Sequence, residues 1–299
     1  MTDIIYDITI IGAGPAGMTA AIYASRAGKT VAIIDRNGFG GNIAKSPRIE
    51  NIPGFLSISG ADFAEKMYEQ ISVNSVHTYI NEAKLINYRY GLFKVSLDSN
   101  EVICSKSIIY ACGTEHRQLE LDTKDIYYCV TCDGPFFKDK PVTVVGSGNS
   151  GATYALELSK YCKKVYICDL TPTMRCEKTL IERIAKTENI EWLSGDTINQ
   201  VENKNGKLSN VYFVKKGKVK CNAIFAAIGL IPQTLLLDKF AEINEQGYIV
   251  SDDCTTSLVP GIFVAGDCRT SKVKQVVTAT ADGATAALEA IKFLDSVKR

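Results

Sequence analysis

The sequence is poor in the features that mark several large function classes. Its 299 residues carry 34 Lys and Arg against 33 Asp and Glu, a formal net charge of +1. No long run of one sign occurs, so nothing favours nucleic acid or an anionic membrane surface as a partner. The start, MTDIIYDITIIGAG, lacks a basic leader and a small-residue cleavage site, so no signal peptide is expected. No uncharged apolar run reaches membrane-spanning length. A soluble, cytoplasmic protein is therefore expected. Histidine is nearly absent: His77 and His116 stand alone, and both are read as structural or surface groups. No Ser-His-Asp set and no carboxylate pair points to hydrolysis. The one tryptophan, Trp192, is read as core.

What is present begins with size. A chain of 299 residues, 46% hydrophobic, suits two domains with cores of their own. Ten cysteines are scattered along it, most in apolar runs such as EVICSKSIIYACG. A chain of this size does not need disulfide stapling, so eight of the ten are read as reduced, buried thiols. Cys129 and Cys132 stand apart. They lie two residues apart in YYCVTCDGPFF (127–137), with Asp133 directly behind. On the residues alone this pair fits a metal clip, a structural staple or a working redox disulfide.

The strongest organisational signal is a repeat. IIGAGPAGMTAAIYASRAGKTVAIID (10–35) aligns without gaps to VVGSGNSGATYALELSKYCKKVYICD (144–169). Gly12, Gly14 and Gly17 fall on Gly146, Gly148 and Gly151, and Asp35 falls on Asp169. Each copy reads as a buried strand, a glycine turn, a helix of small and apolar residues, and a second strand ending in an acid. The first glycine permits the tight turn. The second leaves room for a pyrophosphate to approach the backbone, and the third lets helix and strand pack closely. The helix start then faces the phosphates, and the acid about 20 residues on can accept from a ribose hydroxyl. Two dinucleotide-binding units follow, one suited to a bound flavin and one to a mobile nicotinamide. Near the C-terminus, VPGIFVAGDC (259–268) ends a strand in Gly-Asp, and KQVVTATADGATAALEAIKFL opens a long helix. Asp267 can hold a polyol hydroxyl there, and the helix start can face an electron-rich ring edge.

The expected fold class is α/β, with two Rossmann-like dinucleotide-binding domains, the second inserted into the first. Residues 1–113 and 243–299 are assigned to the first domain and 114–242 to the second, closed by AAIGLIPQT with Gly229 and Pro232 as breakers. Two crossings near 113–117 and 240–246 would make a hinge.

GAGPAG at 12–17, ENIPG at 50–54, CVTCDG at 129–134, GSGNSG at 146–151 and GIFVAGD at 261–267 occur in the order found in low-molecular-weight thioredoxin reductases. The chain resembles that family over essentially its whole length, and the C-x-x-C-D-G is the most specific part. The resemblance implies FAD in the first domain, NADPH and the redox disulfide in the second, and a homodimer whose domains rotate between two arrangements. It implies that Cys132 is the sulfur nearer the flavin, Cys129 the exchange thiol, and Asp133 the acid–base group. It assigns FAD to Gly12, Gly14, Gly17, Asp35, Asn51, Asp267, Gln275 and Val276. The other readings of the cysteine pair fare worse: a four-thiolate zinc site wants a second close pair, which is absent, so no metal site is expected. A staple two residues long closes too small a loop to constrain the unfolded chain much.

One stretch departs from the family. NADPH-using members follow the second strand with His-Arg-Arg-x-x-x-Arg, which grips the 2′-phosphate. Here the stretch is DLTPTMR (169–175), and only Arg175 matches. Asp169 against a 2′-phosphate at ~4 Å and an effective dielectric near 20 would cost about 4 kcal/mol, roughly a thousandfold in affinity. NADPH is therefore disfavoured. Asp169 on a free ribose diol fits NADH, with Gly146, Gly148, Gly151 and Arg175 completing that site. A ferredoxin-dependent branch of the family, which lacks the NADPH signature, is the alternative donor reading. The expected partner is thioredoxin or a similar small redox protein. A flavin-bound sensor that does not turn over is the competing class, and steady-state turnover would exclude it.

Overall fold

The computed structural model describes residues 4–46, 49–252, 257 and 259–297, so Cys254 lies outside the described residues. The chain divides into two compact units, Met1–Glu115 with Ile231–Arg299, and His116–Leu230. The second is thus an insertion within the first.

Unit 1 opens with β1 (Ile5–Ile11), α1 (Pro15–Arg26) and β2 (Val31–Ile34). Next come α2 (Gly60–Ser72), β3 (His77–Tyr79), β4 (Ala83–Arg89), β5 (Leu92–Leu97) and β6 (Val102–Tyr110), and β7 (Thr114–His116) leads out. Unit 2 holds β8 (Ile126–Tyr127), the single-turn α3 (Val130–Asp133), β9 (Pro141–Val145), α4 (Asn149–Leu158) and β10 (Lys164–Asp169). It continues with α5 (Lys178–Ala185), β11 (Ile190–Ser194), β12 (Ile198–Lys204), β13 (Lys207–Phe213), β14 (Gly217–Lys220) and β15 (Ile224–Ala226). The chain returns through β16 (Leu230–Pro232), and β17 (Ile262–Val264) and α6 (Val276–Val297) complete unit 1.

In unit 1 the strand order is β3-β2-β1-β6-β5-β4, with β17 also on β6. The nine residues of β6 serve two partners in succession: Phe93 pairs antiparallel with Ser105, and Ile262 pairs parallel with Ile108. β1 lies between two parallel neighbours, and Ile8 and Ile10 are wholly buried. That explains its continuous apolar sequence, because a strand covered on both faces has no polar side to present. Each such isoleucine contributes about 1.5–3 kcal/mol by burial. α1 meets α6 backbone to backbone: a Cβ on Gly283 would lie 2.1 Å from the Ala16 carbonyl oxygen. Unit 2 repeats the plan with an all-parallel sheet, β11-β10-β9-β15-β8, and a separate meander of β12, β13 and β14.

The returning chain departs from the sequence expectation, which ran the inserted domain to residue 242. Residues 231–242 lie in unit 1. The reason is packing: Leu237 is fully buried in a unit 1 core with Tyr110 and Ile249, and Leu236, Phe240 and Ala241 lie against it. His77 is an exposed residue whose Nδ1 lies 2.7 Å from the Tyr6 hydroxyl, and His116 stacks on Tyr128. Trp192 is partly buried against the core of unit 2. Cys104, Cys112, Cys162, Cys168, Cys176, Cys221 and Cys268 are free thiols. Among the described residues, no helix is long and apolar enough to cross a membrane, and no group of three metal-ligating side chains occurs.

Candidate dinucleotide and disulfide sites

The two glycine turns are built alike. Gly12 and Gly146 carry φ of +103° and +113°, a left-handed backbone that side chains rarely adopt. A Cβ would also lie 2.3 Å from the Ala111 carbonyl at Gly12, and 2.5 Å from that of Ala227 at Gly146. Gly17 and Gly151 press on the turn itself, their added Cβ atoms reaching 1.8 Å and 2.0 Å from the carbonyl oxygens of Gly12 and Gly146. Gly14 and Gly148 are different: a Cβ at either meets nothing within 4 Å. Each of these two is the N-cap of its helix, α1 or α4, with no side-chain cap and no acid in the first turn. Both turns therefore present open space in front of uncapped, positive helix starts, which suits a pyrophosphate. In each copy a backbone N–H of the following loop closes on the turn. Gly40 donates to the Ala13 carbonyl, and Arg175 donates to the Ser147 carbonyl.

The two acids diverge. Asp35 is half-buried and takes one donor on each oxygen, from Ala13 N at 2.8 Å and Asn37 N at 2.8 Å. A carboxylate has about four lone-pair sites, so this one has room for a ribose hydroxyl. Asp169 is buried and crowded. Ser147 N and Oγ, each at 2.8 Å, and Arg175 Nη2 at 3.2 Å reach Oδ2. Thr171 N at 3.0 Å and Oγ1 at 2.9 Å reach Oδ1. Burial alone would raise its pKa, but the hydrogen bonds from Thr171 and Ser147 outweigh it and hold the carboxyl well below the usual range. Asp169 is the residue that would meet a ribose diol, and both its oxygens accept from the glycine turn at Ser147 and from the loop that follows it. Asn149 adds to this closure, its amide nitrogen reaching Glu177 Oε1 and its oxygen accepting from Glu177 N.

The other unit 1 residues converge from three distant segments. Asn51 Nδ2 donates to Gln275 Oε1 at 3.2 Å, although they are 224 positions apart. Gln275 N in turn donates to Thr278 Oγ1, just where Val276 begins α6. Asp267 sits in the short turn Gly266–Cys268 after β17. Burial raises its pKa, against the opposing pull of Lys274. Sequence reasoning did not single out Lys274, Ser147 or Thr171. For Ser147 a signal existed, a hydroxyl between two turn glycines where the first copy has Ala13.

Cys129 and Cys132 are joined in a disulfide, with Cα atoms 5.3 Å apart. Cys129 is the N-cap of α3, and its Sγ accepts from Cys132 N at 3.2 Å. Asp133 is buried, makes no capping bond, and has an Oδ1 without a hydrogen-bond partner among the described residues. Burial pushes its pKa up to about 6. Behind the turn, Gly134 lies so close to Tyr161 that an added Cβ would sit 2.2 Å from the hydroxyl.

Comparisons with known proteins identify the family. The model of the pyridine nucleotide-disulphide oxidoreductase family matches residues 6–283. The thioredoxin reductase of Treponema pallidum is 36% identical, over 98% of each chain. That of Bacillus subtilis is 34% identical, over 98% of this chain and 96% of its own. The crystal structure of the Streptococcus pyogenes thioredoxin reductase superposes with a TM-score of 0.92 at 32% identity, over 99% of this chain and 100% of that one. The chain therefore belongs to the pyridine nucleotide-disulphide oxidoreductases and, within them, to the FAD-dependent thioredoxin reductase family.

Proposed function

We propose that the chain reduces the disulfide of thioredoxin or a thioredoxin-like protein, with FAD held by unit 1 and electrons delivered through Cys129 and Cys132. The observation that carries the reading is the disulfide in front of a buried acid whose pKa lies near working pH. The residues fit the cofactor: the open space at Gly14 suits its pyrophosphate, Asp35 its ribose, and the Asp267 carboxylate its polyol. Asn51, Gln275 and Val276 are left to orient the ring system. When bound, FAD supplies the electron pair that opens the disulfide.

The chain's own residues then do the exchange. The Cys129 thiolate, favoured by the Cys132 N–H at its sulfur, attacks one sulfur of the partner's disulfide. The other partner sulfur leaves and takes a proton, which Asp133 delivers. The Cys132 thiolate then attacks Cys129 Sγ, which re-forms the pair and releases the partner's second sulfur as a thiolate, and this takes its proton from solvent to give the dithiol. A homodimeric assembly and a cytoplasmic location are carried with this reading.

On the electron donor, Asp169 weighs against both nicotinamides. Its charge opposes the 2′-phosphate of NADPH. Its occupied oxygens oppose NADH, whose ribose would have to displace bonds from Ser147, Thr171 or Arg175. This favours the reading in which the second glycine turn carries no working nicotinamide and a reduced ferredoxin feeds the flavin. Anaerobic titration of the oxidised protein tests it, with flavin absorbance as the signal. Bleaching by reduced ferredoxin and not by NADH or NADPH supports it, and rapid bleaching by NADH restores Asp169 as a ribose ligand.

A further inference from the structure

Lys274 occupies an unusual place for an ammonium group. It immediately precedes Gln275, yet its side chain turns back under the Gly266–Cys268 turn instead of into solvent. Nζ donates to the carbonyl oxygens of Asp267 at 2.9 Å and Arg269 at 3.2 Å, and lies 3.4 Å from Ser271 Oγ. The same atom stands 4.2 Å from the centre of the Tyr248 ring. Three donors and one aromatic face use up everything an ammonium offers. Tyr248 is itself held: its N–H bonds Asn244 Oδ1, and the next residue, Ile249, donates to the Cys268 carbonyl. Arg269, the neighbouring cation, is spent on Asp282, Ser251 and the Asp252 carbonyl. Among the described residues Lys274 makes no direct ion pair, and burial lowers its pKa against the through-space pull of Asp267 and Asp282.

We propose that Lys274 is a positioning residue for the flavin half of the site. It ties the carbonyls of Asp267 and Arg269, within and just after that turn, to the start of α6 and leaves there a positive charge that raises the reduction potential of the bound cofactor. This rests on the reading that Asp267 and the start of α6 face FAD. Reduction places negative charge on a flavin, and a half-buried ammonium held in place by backbone carbonyls favours that form.

The test is the equilibrium between oxidised and reduced flavin, measured against a dye of known potential in the holoprotein, for wild type, Lys274→Met and Lys274→Arg. Lys274→Met should move the ratio about tenfold toward oxidised flavin, about 30 mV for a two-electron couple. It should also weaken FAD uptake by the apoprotein. Lys274→Arg, which keeps the charge, should stay within about twofold of wild type, a small fraction of that shift. Should Lys274→Met not retain FAD, Lys274→Gln keeps a donor for the carbonyls without the charge and takes its place. An unchanged potential in the neutral variants with FAD bound overturns the proposal, as does an equal shift in Lys274→Arg. Wild-type protein that takes up no FAD would instead sink the cofactor reading beneath it.

Discussion

Copy one and copy two of the glycine turn share backbone, spacing and packing, and differ where the acid meets the turn. At Asp35 the turn offers Ala13 and the loop offers Asn37, and each gives a backbone N–H. At Asp169 the equivalent positions are Ser147 and Thr171, whose hydroxyls add to their N–H groups, and Arg175 adds a guanidinium. The first acid keeps spare acceptor capacity and the second has none. The same backbone turn thus presents one acid with acceptor sites to spare and one acid filled by the protein's own donors. The glycines alone do not distinguish the two cases, because Gly146 and Gly151 are required by contacts with Ala227 and Gly146 whatever binds.

The comparison breaks most visibly at the chemistry carried by unit 2. Cys129→Ser should lower reduction of thioredoxin at least about a thousandfold, since removing a nucleophile leaves only background. FAD should remain bound in unit 1, with its absorbance spectrum unchanged. Retained turnover would refute the role of the disulfide.

Asp133→Asn comes next, with an expected loss of about a hundredfold from removal of a general acid. Burial raises this carboxyl to about 6, so its proton is available below that pH. The proton-donating limb of the wild-type rate should decline as pH rises through about 6, and the variant's profile should lose that limb. The same shift bears on stability. The folded state favours the protonated acid, so its contribution is full below the unfolded value near 4 and is lost as pH rises through about 6.

Much of this could be read from the chain because each legible feature is local. The glycine spacing, the strand-ending acids and the C-x-x-C-D-G lie within short windows, and their geometry follows from covalent neighbours. The α/β class followed from the same windows. The illegible features are those set by distant segments. Leu236 and Leu237 fall within the stretch assigned to the inserted domain, yet Leu237 lies in, and Leu236 against, a core that includes residues of β6 and β17. The crowding of Asp169 was not legible because Ser147 reaches it from the turn of a neighbouring strand and Arg175 only once the loop after β10 returns to that turn. Lys274 carried no signal, because its partners Asp267, Arg269 and Tyr248 are brought to it only by the folded turn after β17.

Gly14→Ala sharpens the comparison in unit 1. Gly14 has an ordinary extended backbone and open space around its missing Cβ, so the fold should tolerate alanine. The methyl would stand where a pyrophosphate approaches, and FAD affinity should fall about tenfold to a hundredfold, or about 1.4–2.8 kcal/mol. Reconstitution of the apoprotein followed by fluorescence measures it, and unchanged affinity would remove the pyrophosphate from this turn.

Asp169→Asn probes the other acid. It removes a charge that gathers donors from three residues, which should destabilise unit 2 by about 1–3 kcal/mol at neutral pH. Its carboxyl is held below the usual range, so this stability is present above the unfolded value near 4 and is lost as pH falls. Denaturant melts at pH 7 and pH 3 should therefore separate wild type from variant at the first pH and narrow the gap, without closing it, at the second. A variant as stable as wild type at pH 7 would mean the cluster is not tight in solution.

The smallest expected effect is the most discriminating. Gly148 matches Gly14 in backbone and in the open space at its missing Cβ, so alanine there should not disturb the fold. If the crowding of Asp169 has closed the second site, nothing approaches this turn, and Gly148→Ala should leave ferredoxin-driven turnover within about twofold of wild type. If NADH does bind there, the same methyl meets its pyrophosphate and should raise the KM for NADH about tenfold, matching the loss at Gly14. One substitution made at equivalent positions, with opposite outcomes, would show that two identical turns have come to do different work.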